Sequence, residues 1–276
     1  MIKTITDRVI LNNGVEMPWL GLGLYKSKNG IETVNAIKTA LNYGYRSFDT
    51  ASFYGNEESV GQAIHDSSIS RKDLFLTTKV WNSEQGFIKT KKAFETSLNK
   101  LELDYIDLYL IHWPVKGKYI ETWKAIEELY LEGYVRAIGV CNFTIKQLEH
   151  LMRHIQIAPT VNQVEFHPLL YQKELLDYCS YKKIQLEAWR PLTKGIIFKY
   201  TTIQSIAKKY NKTPAQILLR WDLQHEVITI PKSVTPARIL ENSQIFDFVI
   251  HDDDMEKINL LHEGRRLGPD PENVNF

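Results

Sequence analysis

Short apolar segments alternate along the chain with longer segments in which apolar residues recur at helical spacing. The short segments lack the two-residue alternation of a half-exposed strand, so we expect both faces of each strand to be covered. The eight predicted strands span residues 20–23, 47–49, 74–80, 106–111, 135–140, 160–165, 185–188 and 227–230. The predicted helices between them span residues 31–43, 57–67, 87–101, 119–132, 145–154, 173–182 and 203–224.

Segments at both ends of this alternation complete the predicted architecture. Residues 8–18 contain an Asn-Asn-Gly turn between two short apolar runs, which predicts an N-terminal β-hairpin. The helix at 203–224 is predicted to divide at Thr213-Pro214, because a capping threonine followed by proline favours a new helix start. Residues 253–261 predict an extra C-terminal helix, and residues 265–276 form a proline-rich C-terminal tail loop that is expected to cover one face of the domain.

Eight strand–helix units without a linker or a low-complexity segment fit one α/β domain over residues 1–276. That number of units predicts a (β/α)8 TIM barrel. An open, doubly wound sheet is the alternative, because the order of segments along a chain does not show whether the sheet closes. Against the open sheet, the first strand contains Gly21-Leu22-Gly23 without the G-x-G-x-x-G pattern of dinucleotide-binding sheets.

The charges of the chain are balanced, with 34 basic and 33 acidic residues and a net charge of +1. A nucleic acid is therefore not an expected partner. The two cysteines, Cys141 and Cys179, are too few for a disulfide framework and favour a reducing, cytoplasmic compartment. Because the N-terminus lacks the apolar stretch of a signal peptide and no apolar run approaches ~20 residues, no membrane partner is expected. No apolar surface stripe calls for a dimer, so we expect a monomer.

Polar residues stand where three successive predicted strands end. Asp49 ends the second strand and Tyr54 follows on a loop, before a helix that Asn56 is expected to cap; Lys79 lies within the apolar third strand, and His112 follows the fourth. Each has a structural explanation: Asp49 as a cap and Tyr54 as a packing residue of an ordinary turn, Lys79 as an edge lysine that reaches solvent, and His112 as a packing histidine. Their joint occurrence favours a site, because a barrel brings its strand ends together and a buried lysine requires a carboxylate partner.

These residues belong to motifs that resemble those of the aldo-keto reductases, and the resemblance runs end to end. The motifs are Asp49-Thr50-Ala51 with Tyr54-Gly55-Asn56-Glu57, Lys79-Val80-Trp81 and His112-Trp113-Pro114. The ending Gly268-Pro269-Asp270-Pro271 is similar to that of the small bacterial members, such as the diketogluconate and methylglyoxal reductases. The resemblance implies reversible, NADPH-dependent reduction of aldehydes, ketoaldehydes or ketones to alcohols, with Asp49, Tyr54, Lys79 and His112 as catalytic residues.

Elementary chemistry agrees with the roles that the resemblance implies. Hydride addition leaves negative charge on the carbonyl oxygen, so a proton donor within hydrogen-bond reach is required. Tyr54 is the expected donor, and the Lys79 ammonium is expected to lower its pKa from the usual value of about 10. Asp49 would hold Lys79 charged, and His112 would orient the carbonyl. No metal is expected, since the sequence has no H-E-x-x-H or strand H-x-H motif.

The resemblance also implies residues that bind NADP(H). Asn142 and Gln163 are expected to hold the nicotinamide carboxamide, and Trp189 to stack on its ring. Preference for NADPH over NADH would come from a 2′-phosphate clamp that includes Lys232 and Arg238; their structural alternative is an exposed helix N-terminal region. The full expected set is Gly23, Leu24, Asn142, Gln163, Trp189, Arg190, Pro191, Leu192, Lys232, Ser233, Val234, Arg238, Glu241 and Asn242, the last two near the adenine.

Two positions depart from the usual family pattern. Cys141 replaces a serine, which weakens one expected contact to the carboxamide. Arg190 replaces a small residue and either pairs with the cofactor pyrophosphate or restricts its loop. On the substrate side, the residues expected to line an aromatic pocket together with His112 are Tyr25, Trp81 and Trp113, for which packing at the barrel rim is the alternative.

Two other functions on the same fold are possible from the sequence. One is a non-catalytic NADPH-binding regulatory or interaction protein, and the other is a barrel isomerase or lyase without a cofactor. The intact set of four catalytic residues argues against the first, because a binding module does not need Tyr54 beside Lys79. The cofactor motifs argue against the second. A small-molecule carbonyl compound is the expected substrate.

Overall fold

The computed structural model describes residues 2–273 of the chain. An antiparallel hairpin comes first, in which β1 (Arg8–Ile10) pairs with β2 (Glu16–Pro18). Gly14 lies in its turn at φ 86°, a left-handed conformation that glycine adopts at little cost. The predicted N-terminal hairpin is confirmed.

Eight short parallel strands follow, and their order in the sheet is their order in the chain. Each is separated from the next by a segment that contains at least one helix. The strands are β3 (Leu22–Gly23), β4 (Ser47–Asp49), β5 (Phe75–Val80), β6 (Ile106–Ile111), β7 (Val135–Cys141), β8 (Val161–Glu165), β9 (Gln185–Trp189) and β10 (Ile228–Thr229).

Backbone contacts between the first and last of these strands close the sheet into a barrel. Leu20 bridges Thr229 and Gly23 bridges Lys232, both in parallel orientation. The N–H of Gly21 donates to the carbonyl of Thr229 at 3.0 Å. A Cβ atom on Gly23 would lie 2.8 Å from the carbonyl oxygen of Ile230, so only glycine permits this close approach. The (β/α)8 barrel is therefore confirmed, and the open-sheet alternative is wrong.

Helices surround the barrel, and most lie where the sequence predicts them. The division at Thr213 is confirmed, because its Oγ1 accepts a hydrogen bond from the backbone N–H of Gln216. The segment around Pro236 forms a helix that was not among the predicted helices, although a helix N-terminal region was the structural alternative for Lys232 and Arg238. The helices are α1 (Ile31–Asn42), α2 (Glu57–His65), α3 (Phe87–Leu101), α4 (Tyr119–Leu131), α5 (Ile145–Met152), α6 (Lys173–Tyr181), α7 (Thr201–Tyr210), α8 (Pro214–Gln224), α9 (Pro236–Ser243) and α10 (Asp252–Asn259).

The hairpin seals one end of the barrel. Leu11 and Met17 pack in one apolar cluster with barrel residues such as Phe75 and Leu108, and all four side chains are buried. Burying a side chain of this size stabilises the fold by about 1.5–3 kcal/mol. This end is thus filled with apolar side chains, which leaves the opposite end, where the strands finish, for polar chemistry. Within residues 2–273, no helix is long and apolar enough to cross a membrane.

The C-terminal tail lies against that opposite end. The N–H groups of Leu267 and Gly268 donate to the carboxylate of Glu165, at 2.8 and 3.1 Å. A Cβ atom at Gly268 would stand 2.4 Å from the ring of Trp189, so the absence of a side chain lets the tail pack closely on it. The predicted placement of the tail is confirmed for residues 265–273, and residues 274–276 lie outside the described part.

Candidate active site

A cavity of about 810 Å³ opens at the strand ends that the hairpin leaves free. Asp49, Tyr54 and His112 line it; Asp49 and Tyr54 come from the unit of β4 and α2, and His112 directly follows β6. The register pairs Asp49 with Thr77, two positions before Lys79 on the neighbouring strand β5. The four residues predicted to be catalytic therefore meet in one place.

The ammonium of Lys79 lies at the centre of this group. Its Nζ donates to Asp49 Oδ1 at 2.6 Å, to the carbonyl of Thr50 at 2.9 Å and to Tyr54 Oη at 3.3 Å. The Lys79 side chain is fully buried and the Asp49 side chain is 5% exposed. Lys79 is therefore a buried half of an ion pair, and the explanation as a solvent-reaching edge lysine is wrong.

A short 3₁₀ turn, Ser52–Tyr54, holds the tyrosine over the lysine. The N–H of Tyr54 donates to the carbonyl of Ala51 at 2.9 Å, and Gly55 ends the turn at φ 66°. Asn56 occupies the N-cap position of α2, but its side chain makes no cap hydrogen bond. The expected capping role is wrong, because the Asn56 amide accepts from Thr50 Oγ1 at 2.6 Å and donates to the carbonyls of two preceding loop residues.

Burial and charge act in opposite directions on Lys79 and Tyr54. Burial by itself lowers the pKa of Lys79, but the attraction of Asp49 and Tyr54 outweighs it and leaves the pKa raised. Burial raises the pKa of Tyr54, and the Lys79 ammonium offsets only part of this rise. The expected lowering of the Tyr54 pKa is therefore wrong: Lys79 does lower it, but the effect of burial is larger. Both groups are protonated at neutral pH.

His112 is an uncharged side chain that packs beside Tyr54. Burial lowers the pKa of His112 well below its usual value, and the nearby Lys79 ammonium lowers it further. Its ring packs edge-on against Tyr54 and Trp81, with ring centroids 5.6 and 4.9 Å away. A neutral imidazole carries one N–H, which can donate to a carbonyl oxygen without adding charge.

The two amides expected to hold the carboxamide both line the cavity. Asn142 Nδ2 donates to the carbonyl of His112 at 3.0 Å, and its Oδ1 accepts from the indole N–H of Trp189 at 2.8 Å. Gln163 Nε2 donates to Asp49 Oδ2 and to Glu187 Oε2, both at 2.7 Å. Glu187 was not among the expected site residues, although it lies in the predicted strand 185–188.

One wall of the cavity suits a long, polyanionic ligand. Arg190 Nη1 is buried and has no hydrogen-bond partner within residues 2–273, which fits a pocket shaped for phosphate oxygens. The guanidinium carbon of Arg190 lies 5.2 Å from the centre of the Trp189 ring. The expected cofactor residues on this wall are Gly23, Asn142, Gln163, Trp189, Arg190, Pro191, Leu192 and Lys232.

The other expected cofactor residues lie outside this cavity. Ser233 and Arg238 flank the start of α9, where the Ser233 Oγ accepts from the N–H of Thr235 at 3.2 Å. A helix N-terminus with adjacent cations favours phosphate, so the undetected helix is consistent with the predicted clamp. The remaining residues are less accessible or otherwise engaged: Leu24 is buried in the core, Val234 packs against that core, Glu241 accepts from Thr213 Oγ1, and Asn242 is buried.

The residues expected to contact the substrate, Tyr25, Trp81 and Trp113, all line the cavity and give it an aromatic part. Phe53 was not among the expected residues; it is half-exposed and stacks on Trp81 with ring centroids 3.8 Å apart and planes at 15°. Its position directly before Tyr54 was the available signal. Pro269 of the tail completes this wall.

Known proteins are similar to this chain in both sequence and fold. The sequence model of the aldo/keto reductase family matches residues 19–263. Over 100% of both chains, this chain is 56% identical to the uncharacterized oxidoreductase YtbE and 54% identical to a glyoxal reductase, both from Bacillus subtilis strain 168. A solved structure of a Gox0644 mutant in complex with NADPH has a TM-score of 0.93 and 42% identity, and the match covers 98% of this chain and 99% of that one.

Proposed function

The chain belongs to the aldo/keto reductase family, and from this premise we propose that it is an NADPH-dependent reductase of aldehydes, ketoaldehydes and ketones. The observation that carries the proposal is the buried Lys79 ammonium, which contacts both Asp49 and Tyr54. A structural ion pair would not need a tyrosine hydroxyl at the mouth of a cavity. Bound NADPH supplies the hydride.

Each of the four residues then has a distinct task. Tyr54 holds a proton at neutral pH and donates it to the carbonyl oxygen as negative charge develops there. Lys79 stabilises the tyrosinate that remains, and Asp49 keeps Lys79 charged and fixed in place. The neutral His112 donates a hydrogen bond that orients the carbonyl toward Tyr54.

The cofactor residues divide between the two ends of a nucleotide. Gln163 and Asn142 hold the carboxamide, and Trp189 gives a flat surface for the ring. Arg190, with its unpartnered buried nitrogen, binds the pyrophosphate rather than restricting the loop. The 2′-phosphate is bound at the start of α9 by Lys232, Ser233 and Arg238. The other residues assigned to the cofactor are Gly23, Leu24, Val234, Glu241 and Asn242.

We further propose that residues 1–276 form one domain and act as a monomer in the cytoplasm. The closed barrel, whose first and last strands contact each other, supports the single domain. The most exposed large apolar side chains on helices, such as Ile31, Ile88 and Leu131, stand singly on α1, α3 and α4, which supports the monomer. Cys141 and Cys179 are free and buried, as expected in a reducing compartment.

The test is consumption of NADPH in the presence of methylglyoxal or 4-nitrobenzaldehyde, followed by absorbance. The proposal predicts carbonyl-dependent loss of NADPH and formation of the alcohol. Tight NADPH binding without turnover of any carbonyl would favour the non-catalytic binding protein. No binding of NADPH at all would contradict both functions and return the cofactor-free isomerase or lyase to consideration.

A further inference from the structure

A second carboxyl group lies inside the barrel next to the catalytic ion pair. Glu187 is on β9, directly opposite Gln163 in the register of β8 and β9, and it is 1% exposed. Its Oε2 accepts from Gln163 Nε2 at 2.7 Å. The same nitrogen donates to Asp49 Oδ2 at 2.7 Å, while Asp49 Oδ1 accepts from Lys79. A continuous series of contacts thus joins Tyr54 and Lys79, through Asp49 and Gln163, to Glu187.

The bridging atom of Gln163 has to be the amide nitrogen. A rotation of the amide by 180° would direct its oxygen at the Asp49 carboxylate, which only accepts, and would leave a buried charge facing a buried acceptor. With the nitrogen satisfied by two acceptors, the oxygen is directed away from them. Gln163 Oε1 then accepts a hydrogen bond from the Cys141 thiol at 3.7 Å and keeps a second lone pair, and the residue lines the cavity.

We propose that Glu187 is a positioning residue for the cofactor: together with Asp49 it holds the Gln163 amide with its nitrogen inward and its oxygen available to the nicotinamide carboxamide. This inference rests on the proposed function. The carboxamide carries an NH2 group, which requires an acceptor, and a correctly oriented Gln163 oxygen is one. Glu187 acts only through Gln163 and is not a catalytic residue.

The charges around Glu187 fit a neutral acceptor. The titratable and charged groups that face it are Asp49 from β4, Lys79 from β5 and Cys141 from β7. Burial raises the pKa of Glu187 to about 8, and the Asp49 carboxylate contributes to that rise. Glu187 is therefore protonated at pH 7, so Lys79 balances a single anion while Gln163 still has two acceptors.

The experiment compares the affinities of two reduced cofactors for the full-length protein. One is NADPH, and the other is its 3-acetylpyridine analogue, in which a methyl ketone replaces the carboxamide and the NH2 group is absent. Dissociation constants are measured by quenching of protein fluorescence for wild type, Glu187→Met and Glu187→Gln. Asp222→Asn is the matched control, since Asp222 is also a buried carboxyl group with a raised pKa, but it bonds to Thr229 on the outer side of β10.

We expect wild type to prefer NADPH over the analogue and Glu187→Met to lose most of that preference, by several-fold to about tenfold, the range for one hydrogen bond. Glu187→Gln keeps an acceptor and should restore the preference, and Asp222→Asn should not change it. Equal weakening of both cofactors in Glu187→Met, or an unchanged preference, would overturn the inference. If Glu187→Met does not fold, Glu187→Ser gives the same comparison.

Failure of this inference is distinguishable from failure of the proposed function. If the wild-type protein reduces carbonyls with NADPH but Glu187→Met leaves the cofactor preference unchanged, the positioning role alone is contradicted. A wild-type protein that binds neither cofactor contradicts the function on which the inference rests.

Discussion

Replacement of Lys79 by methionine tests the buried ion pair directly. Methionine has a similar length and fills the apolar part of the space, but it leaves the Asp49 carboxylate without a cation in a site that is almost fully buried. Removal of one partner from a buried pair costs about 3–5 kcal/mol, because the remaining charge is uncompensated. For a chain of this size, that cost lowers the melting temperature by roughly 6–10 °C.

A surface pair provides the matched control. Lys38 and Asp66 also form an ion pair, at 2.9 Å, but their side chains are 45% and 44% exposed. Exposed pairs contribute about 0–1 kcal/mol, so Lys38→Met should change the melting temperature only slightly. Both variants lose one lysine and gain one methionine, and only the burial of the pair differs.

A double variant separates stability from activity. Asp49→Asn combined with Lys79→Met removes both charges, so we expect it to recover much of the stability lost in Lys79→Met. Carbonyl reduction should remain at least ~100-fold below wild type in both variants, since the positive charge that stabilises the tyrosinate is absent. Thermal denaturation and NADPH-consumption assays measure the two properties. The reasoning is refuted if Lys79→Met is no less stable than Lys38→Met.

Three further predictions concern the aromatic part of the cavity, the start of α9 and the interior of the barrel. Phe53→Ala removes the ring stacked on Trp81 and should raise KM for 4-nitrobenzaldehyde several-fold more than KM for methylglyoxal; equal changes would argue against an aromatic substrate wall. Arg238→Ala should weaken NADPH binding by about 1–3 kcal/mol and leave NADH binding unchanged, as compared by fluorescence titration; equal weakening would remove Arg238 from the clamp. Wild type should lose stability as the pH rises from about 4.5 to 8, because over that range the folded Glu187 carboxyl holds a proton that the unfolded one has released. Glu187→Gln should abolish this loss. Chemical denaturation across the range measures it, and the same dependence of stability on pH in both proteins would contradict the raised pKa.

The positions of the catalytic residues were predictable from the sequence because strand ends are local features. Asp49 and Lys79 stand in short apolar runs, and a parallel barrel directs all its strand ends to one face. The number of strand–helix units favoured a closed barrel, but the contacts that close it were not predictable, since Gly21 and Gly23 contact the last strand, far away in the chain. Helix α9 was missed because its eight residues bury only Ile239 and Asn242, too little for a visible apolar pattern.

The electrostatics of the site were the least predictable part. The sequence indicates that Lys79 lies near Tyr54, but only the burial of both groups shows that the pKa of Tyr54 rises overall. Likewise, nothing in the residues around Gln163 indicates that its amide bridges Asp49 and Glu187, which lie on strands on either side of it in sequence. Such contacts depend on side-chain directions inside the barrel, and the apolar pattern of a strand carries no information about them.

The central claim is that Tyr54 donates the proton in an NADPH-dependent carbonyl reduction, and Tyr54→Phe tests it most directly. The substitution removes one hydroxyl group and keeps the ring that packs against Tyr25 and His112. We predict that kcat for methylglyoxal falls by about 10²–10⁴-fold, the usual contribution of general acid catalysis, while the NADPH dissociation constant and the melting temperature stay close to wild type. A variant that keeps more than about a tenth of wild-type turnover would contradict the account, because a loss of less than about tenfold is smaller than the contribution of general acid catalysis.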